Sequence, residues 1–151
     1  MKNTTVRLAS LAAIAILSFV CSASPMWAQQ VRLSARKNKV VNGIEAQLRG
    51  DYRERTNPIR LNAELENINI PVGTKVAFCL LQNGVKTKIG VGQVAVVGGI
   101  QVAEVELAAS DGDAVPNVSA GDVLQARQAK TSPFKTSPGC GSPLLVSAAF
   151  Q

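Results

Sequence analysis

The sequence predicts an all-β protein, a single antiparallel β-sandwich of Ig-like or similar Greek-key type behind an N-terminal export signal. Three observations carry this. Apolar residues recur at every second position through several short runs. Dipeptides that favour positive φ, Asn83-Gly84 and Gly98-Gly99, separate those runs. No stretch beyond residue 28 shows the three-to-four residue apolar period of an amphipathic helix.

Residues 1–28 read as a signal peptide. Lys2 and Arg7 supply a positive start, and Leu8 to Val20 is an uncharged run of 13 residues, too short for a bilayer-spanning helix. Small and polar residues come next, so cleavage is expected after Ala28, with Ala23 as the alternative. Lipid attachment at Cys21 is the weaker reading, because Phe19-Val20 precedes it where a small residue is wanted. The chain is therefore expected to be secreted or periplasmic, with no transmembrane span once mature.

The chain beyond residue 28 is short enough for one domain, with a basic segment or edge strand over 29–42 and the sandwich over 43–151. Ile44 to Arg53 alternates Ala46, Leu48, Gly50 and Tyr52 on one face. Ile59, Leu61, Ala63 and Leu65 oppose Arg60, Asn62, Glu64 and Glu66, the pattern of a half-buried strand. Val76, Phe78 and Leu80 oppose Ala77, Cys79 and Leu81; two apolar faces mark a central strand. Strands over Val85 to Ile89, Gln93 to Val97, Ile100 to Leu107, Val123 to Gln128 and Leu144 to Phe150 complete the set. Gly90 and Gly92 suggest a bulge or bend. Lys130 to Pro143, rich in Ser, Thr, Pro, Gly and Lys, reads as an exposed loop.

Glu64 to Thr74 (ELENINIPVGT), Ser110 to Asp122 (SDGDAVPNVSAGD) and Leu144 to Phe150 (LLVSAAF) resemble an uncharacterised β-domain of exported bacterial proteins. The resemblance covers about Gly43 to Phe150. It implies a β-sandwich and brings no activity or ligand with it. The Lys130–Pro143 loop and the two cysteines depart from that pattern.

Loss of the signal removes Lys2 and Arg7 and leaves 14 basic against 10 acidic residues, a net charge of +4. Arg32, Arg36, Lys37 and Lys39 form one basic cluster, and Arg49, Arg53, Arg55 and Arg60 another. Such charge would attract an anionic glycan or lipid surface if it converged; the plainer reading is a solvated face. Export argues against nucleic acid, and no aromatic side chains are interleaved to stack bases.

Candidate chemistry is sparse. The chain has no His, which excludes Ser-His-Asp and Cys-His catalysis. Cys79 and Cys140 remain after Cys21 is lost, and an exported pair is expected to form a disulfide. Asp111, Asp113 and Asp122 lack the spacing of an EF-hand loop and read as turn formers. Glu64 with Glu66, and Glu104 with Glu106, offer paired carboxyls of the kind a glycosidase uses, and equally the pattern of a solvated strand. Gly90-Val-Gly92 lacks the helix that a phosphate-binding turn requires. Arg49-Gly-Asp51 falls inside a strand rather than at a loop tip, and Asn117-Val-Ser119 is a glycosylation acceptor pattern. No metal or cofactor is expected. The sequence points to a non-catalytic module that binds or builds in the cell envelope or outside the cell, its partner an envelope protein or anionic glycan. The alternatives are anionic glycan or lipid binding by a basic face and a carboxylate-pair hydrolase.

Overall fold

A computed structural model describes residues 30–54, 58–128 and 139–151. The expected signal peptide, Arg55 and most of the Lys130–Pro143 loop lie outside the described residues. Those described form nine strands: β1 (Val31–Val41), β2 (Ile44–Glu54), β3 (Arg60–Glu66), β4 (Lys75–Gln82), β5 (Val85–Gln93), β6 (Ala95–Val97), β7 (Ile100–Ala108), β8 (Val123–Gln128) and β9 (Leu144–Ala149). One short 3-10 turn, Ala109–Asp111, follows β7. Among the described residues, no helix is long and apolar enough to cross a membrane.

The strands make two antiparallel sheets, ordered β1-β2-β3-β7-β6 and β5-β4-β8-β9. Three hairpins set the registers. Asn42-Gly43, Asn83-Gly84 and Gly98-Gly99 all hold both central residues at positive φ, which matches the right-handed twist of the flanking strands. Alternation then does the rest. In β2, Ala46, Leu48 and Tyr52 are buried while Arg49 and Arg53 face out. In β3, Leu61, Ala63 and Leu65 are buried. These residues share one core with Val76, Phe78 and Leu80 of β4, Leu124 and Ala126 of β8, and Val146 and Ala148 of β9.

The two sheets are stitched at both lateral edges. On one side, β5 runs into β6 across the single residue Val94, so the chain passes from one sheet to the other with scarcely a break. The Val94 N–H donates to Thr74 O at 2.8 Å and Val94 O accepts from Gly73 N–H at 2.8 Å. On the other side, Ser34 and Gln151 exchange backbone hydrogen bonds of 3.0 and 2.9 Å, and Ala35 bridges Phe150. Phe150 is buried, and full burial of such a side chain contributes about 1.5–3 kcal/mol, which pins the C-terminus.

Gly90 and Gly92 do not end β5, which runs unbroken through both. The register against β4 shifts between Phe78 and Cys79, leaving Ile89 as the extra residue beside Gly90. A Cβ on Gly92 would lie 2.7 Å from Glu104 O and 2.8 Å from Glu104 N. The glycine is needed because the β7 backbone occupies that space.

Candidate functional site

The outer faces of the two sheets differ sharply. In the four-stranded sheet, Ala77, Cys79, Gln125 and Arg127 point away from the core and are nevertheless buried. The segment Gly139–Pro143 lies against them. Cys79 and Cys140 form the expected disulfide, with Cα atoms 5.9 Å apart. Arg127 donates from Nη1 to Ser142 O at 2.6 Å and grips Gln125 Oε1 through Nε and Nη2 at 3.0 and 2.8 Å. The Gln128 N–H donates to Pro143 O at 3.2 Å. Burying a guanidinium is costly unless its donors are bonded, and here three of them are.

The outer face of the five-stranded sheet is open and charged. Antiparallel registry brings Arg32 opposite Arg53, Arg36 opposite Arg49, Arg49 opposite Glu64, Arg53 opposite Arg60, and Glu64 opposite Glu104. Five of the eight basic residues singled out in the sequence therefore share one face: Arg32, Arg36, Arg49, Arg53 and Arg60. Lys37 and Lys39 fall on the other face of β1, and Arg55 lies outside the described residues.

That face is not uniformly basic, because carboxylates are interleaved with the arginines. Asp51 accepts from Arg53 Nε at 2.7 Å and from Arg32 Nη2 at 3.2 Å. Arg49 pairs with Glu66 at 3.1 Å and donates to Gln47 Oε1 at 2.6 Å. Asn62 donates to Glu104 Oε1 at 2.8 Å. Partial burial raises the Asp51 pKa, but the bonds and charges of Arg53 and Arg32 outweigh it and hold the carboxyl below its ordinary value. Glu64 goes the other way: partial burial, then the charges of Glu66 and Glu104, push its pKa up against the opposing pull of Arg49. Arg36 and Arg60 form no ion pair among the described residues. Two shallow depressions lie side by side here, sharing Asp51 and Asn62. One of about 310 Å³ is lined by these two with Arg53, Arg60 and Glu106, and one of about 140 Å³ by these two with Arg36, Arg49, Gly50 and Glu64.

The remaining candidates sit in structural roles. Asp113 Oδ2 accepts from the Ala108 N–H at 3.0 Å, and Asp122 Oδ2 accepts from the Ser119 N–H and Gln82 Nε2 at 2.7 Å each. Asp111 accepts from Ser110 Oγ at 3.0 Å. Among the described residues, no group of three or more His, Cys, Asp or Glu could hold a metal ion. In Arg49-Gly-Asp51, Gly50 points into the core while its neighbours are engaged on the charged face. Asn117 O accepts from Gln82 Nε2 at 2.9 Å.

Comparison with protein-family models, curated proteins and solved structures finds no match.

Proposed function

We propose that this chain is a non-catalytic, extracytoplasmic β-sandwich module that binds a polar, partly anionic partner on the outer face of its five-stranded sheet. An envelope glycan bearing carboxylates fits that description. One observation carries the reading: a single sheet face is open and lined by alternating arginines and carboxylates, while the opposite sheet face is covered by a disulfide-tied segment. Arg32, Arg49 and Arg53 are engaged with acidic neighbours, so anion recognition falls to Arg36 and Arg60, one in each depression. Asp51, Asn62 and Glu106 supply acceptors and an amide for hydroxyl groups. The disulfide supports a compartment outside the reducing cytoplasm.

Hydrolysis by a carboxylate pair has less support. Glu64, Glu66, Glu104 and Glu106 lie on one open sheet face, whereas a glycosidase sets two carboxyls across a cleft that holds the sugar. The test is calorimetric titration of acidic envelope oligosaccharides into the wild type and an R36E/R60E variant. Binding weakened at least tenfold in the variant, and weakened by salt in the wild type, is the expected result. Equal binding by both proteins would overturn the assignment of Arg36 and Arg60.

A further inference from the structure

We propose that a second copy of this chain docks face to face on the outer face of the five-stranded sheet, through a row of charges that is complementary to itself. The row crosses four strands. Arg36 of β1, Arg49 of β2, Glu64 of β3 and Glu104 of β7 stand opposite one another in succession. It therefore reads as two cations followed by two carboxylates. A half-turn about an axis lying in the face, parallel to the strands and between β2 and β3, brings a second copy over the first. Arg36 of each copy then faces Glu104 of the other, and Arg49 faces Glu64. The contact is isologous, so each pairing occurs twice and the dimer is closed.

Within a single copy the same row is frustrated at both ends. Arg36 lies beside Arg49 and Glu64 beside Glu104, and like charges directly opposite on a strand pair are destabilising. Arg36 and Glu104 are exposed, and neither forms an ion pair among the described residues. A second copy supplies to each the opposite charge that its strand neighbour does not. The rest of the face is divided in the same way. The β1 and β2 half carries Arg32, Arg36, Arg49 and Arg53 against Asp51 and Glu45. The β3 and β7 half carries Glu64, Glu66, Glu104 and Glu106 against Arg60. A net +2 thus lies beside a net −3, and the half-turn lays each over the other.

The neighbouring rows also match. The half-turn sets Gln47 against Glu66, Asp51 against Asn62 and Ser34 against Glu106, a donor facing a carboxylate each time. Like charges meet in one pairing, Arg53 over Arg60, and there Asp51 already bonds Arg53 at 2.7 Å. Strand spacing of about 4.8 Å and a rise of about 3.4 Å per residue give four strands by four rows an area of about 500 Å² on each copy. Contacts of that size are weak and reversible. Sheets packed face to face keep their strands within about 30° of each other, which preserves the match near the axis. Self-association of this kind needs no glycan, and a glycan held by Arg36 would compete with it.

The experiment is analytical ultracentrifugation of the full chain over a range of concentrations, with no oligosaccharide added. A monomer–dimer equilibrium should appear, at least tenfold weaker in about 0.5 M than in about 0.05 M salt. Arg36→Glu and Glu104→Arg should each weaken it at least tenfold further at low salt. Mixing the two variants should restore a dimer, because each then offers the charge that the other needs. Lys86→Glu, the same change of charge on the other sheet, should leave the equilibrium unchanged. The double variant Arg36→Glu/Glu104→Arg should dimerise again yet bind acidic oligosaccharides weakly, so the two roles given to Arg36 fail separately. All three positions are exposed, and matched thermal melts check that the variants fold. A monomer at every concentration, a dimer indifferent to both charge reversals, or a mixture of the two variants that stays monomeric would overturn the proposal.

Discussion

Glu64 and Glu104 stand directly opposite each other on β3 and β7, two carboxylates side by side on an open sheet face. Like charges in opposed positions destabilise a strand pair by a few tenths of a kcal/mol when solvated. Arg49 faces Glu64 from the other side, and Asn62 holds Glu104.

The Glu64 pKa is raised in the fold, so the folded state binds that proton more tightly than the unfolded chain. Its contribution to stability is therefore most favourable at low pH and declines as pH rises through the raised value. Glu64→Gln should stabilise the protein by a few tenths of a kcal/mol at pH 7, with no gain below about pH 4. Urea unfolding across that range checks both sign and window.

Gly92→Ala should cost about 2–4 kcal/mol, because the new methyl meets the Glu104 backbone, which cannot turn aside. Gly90→Ala meets the Val105 side chain at 2.5 Å, a group able to rotate or shift, and should cost less. Urea midpoints of the two variants test the order.

Tyr52 is fully buried, and its hydroxyl has no hydrogen-bond partner among the described residues. Burial and the charge of Glu54 raise its pKa; the Val118 backbone tempers the rise yet falls short of bonding geometry. Tyr52→Phe should be neutral or slightly stabilising, since it removes a desolvated hydroxyl and keeps the ring. Tyr52→Ala should cost about 3–5 kcal/mol, as loss of a buried ring does. Thermal melts of the pair separate ring from hydroxyl.

The disulfide closes a chain separation of 61 residues. The chain-entropy model assigns such a loop about 4 kcal/mol. Cys140→Ser should lower stability by up to that amount, and thiol titration of the denatured, unreduced wild type should find neither Cys79 nor Cys140 reactive. Arg127 and Gln128 also hold Ser142 and Pro143, so a smaller loss would mean that those bonds keep the segment in place without the bridge.

Much of the strand pattern was legible in order. The inward sets Ala46/Leu48/Tyr52, Leu61/Ala63/Leu65 and Val76/Phe78/Leu80 all reach the core, and β4, apolar on both faces, is a central strand. The β1–β2 hairpin was harder to read. Asn42-Gly43 is the same turn dipeptide as Asn83-Gly84, but Lys37 and Lys39 break the apolar alternation on the strand before it. The charged face was harder still. Two basic clusters stood out, yet the carboxylates that intervene come from β3 and β7, and only pairing reveals them.

The sequence by itself determined what nearest neighbours along the chain decide: strands from period-2 alternation and hairpins from residues that tolerate positive φ; the pairing of Cys79 with Cys140 followed from it only on the expectation that Cys21 leaves with the signal. Tertiary structure alone decided strand order, the meeting of Arg49 with Glu66 and of Glu64 with Glu104, and the covering of one sheet face while the other stayed open. The reason is physical. Alternation and turn geometry are local consequences of backbone sterics, whereas strand order depends on which long-range contacts together bury the most surface and satisfy the most hydrogen bonds.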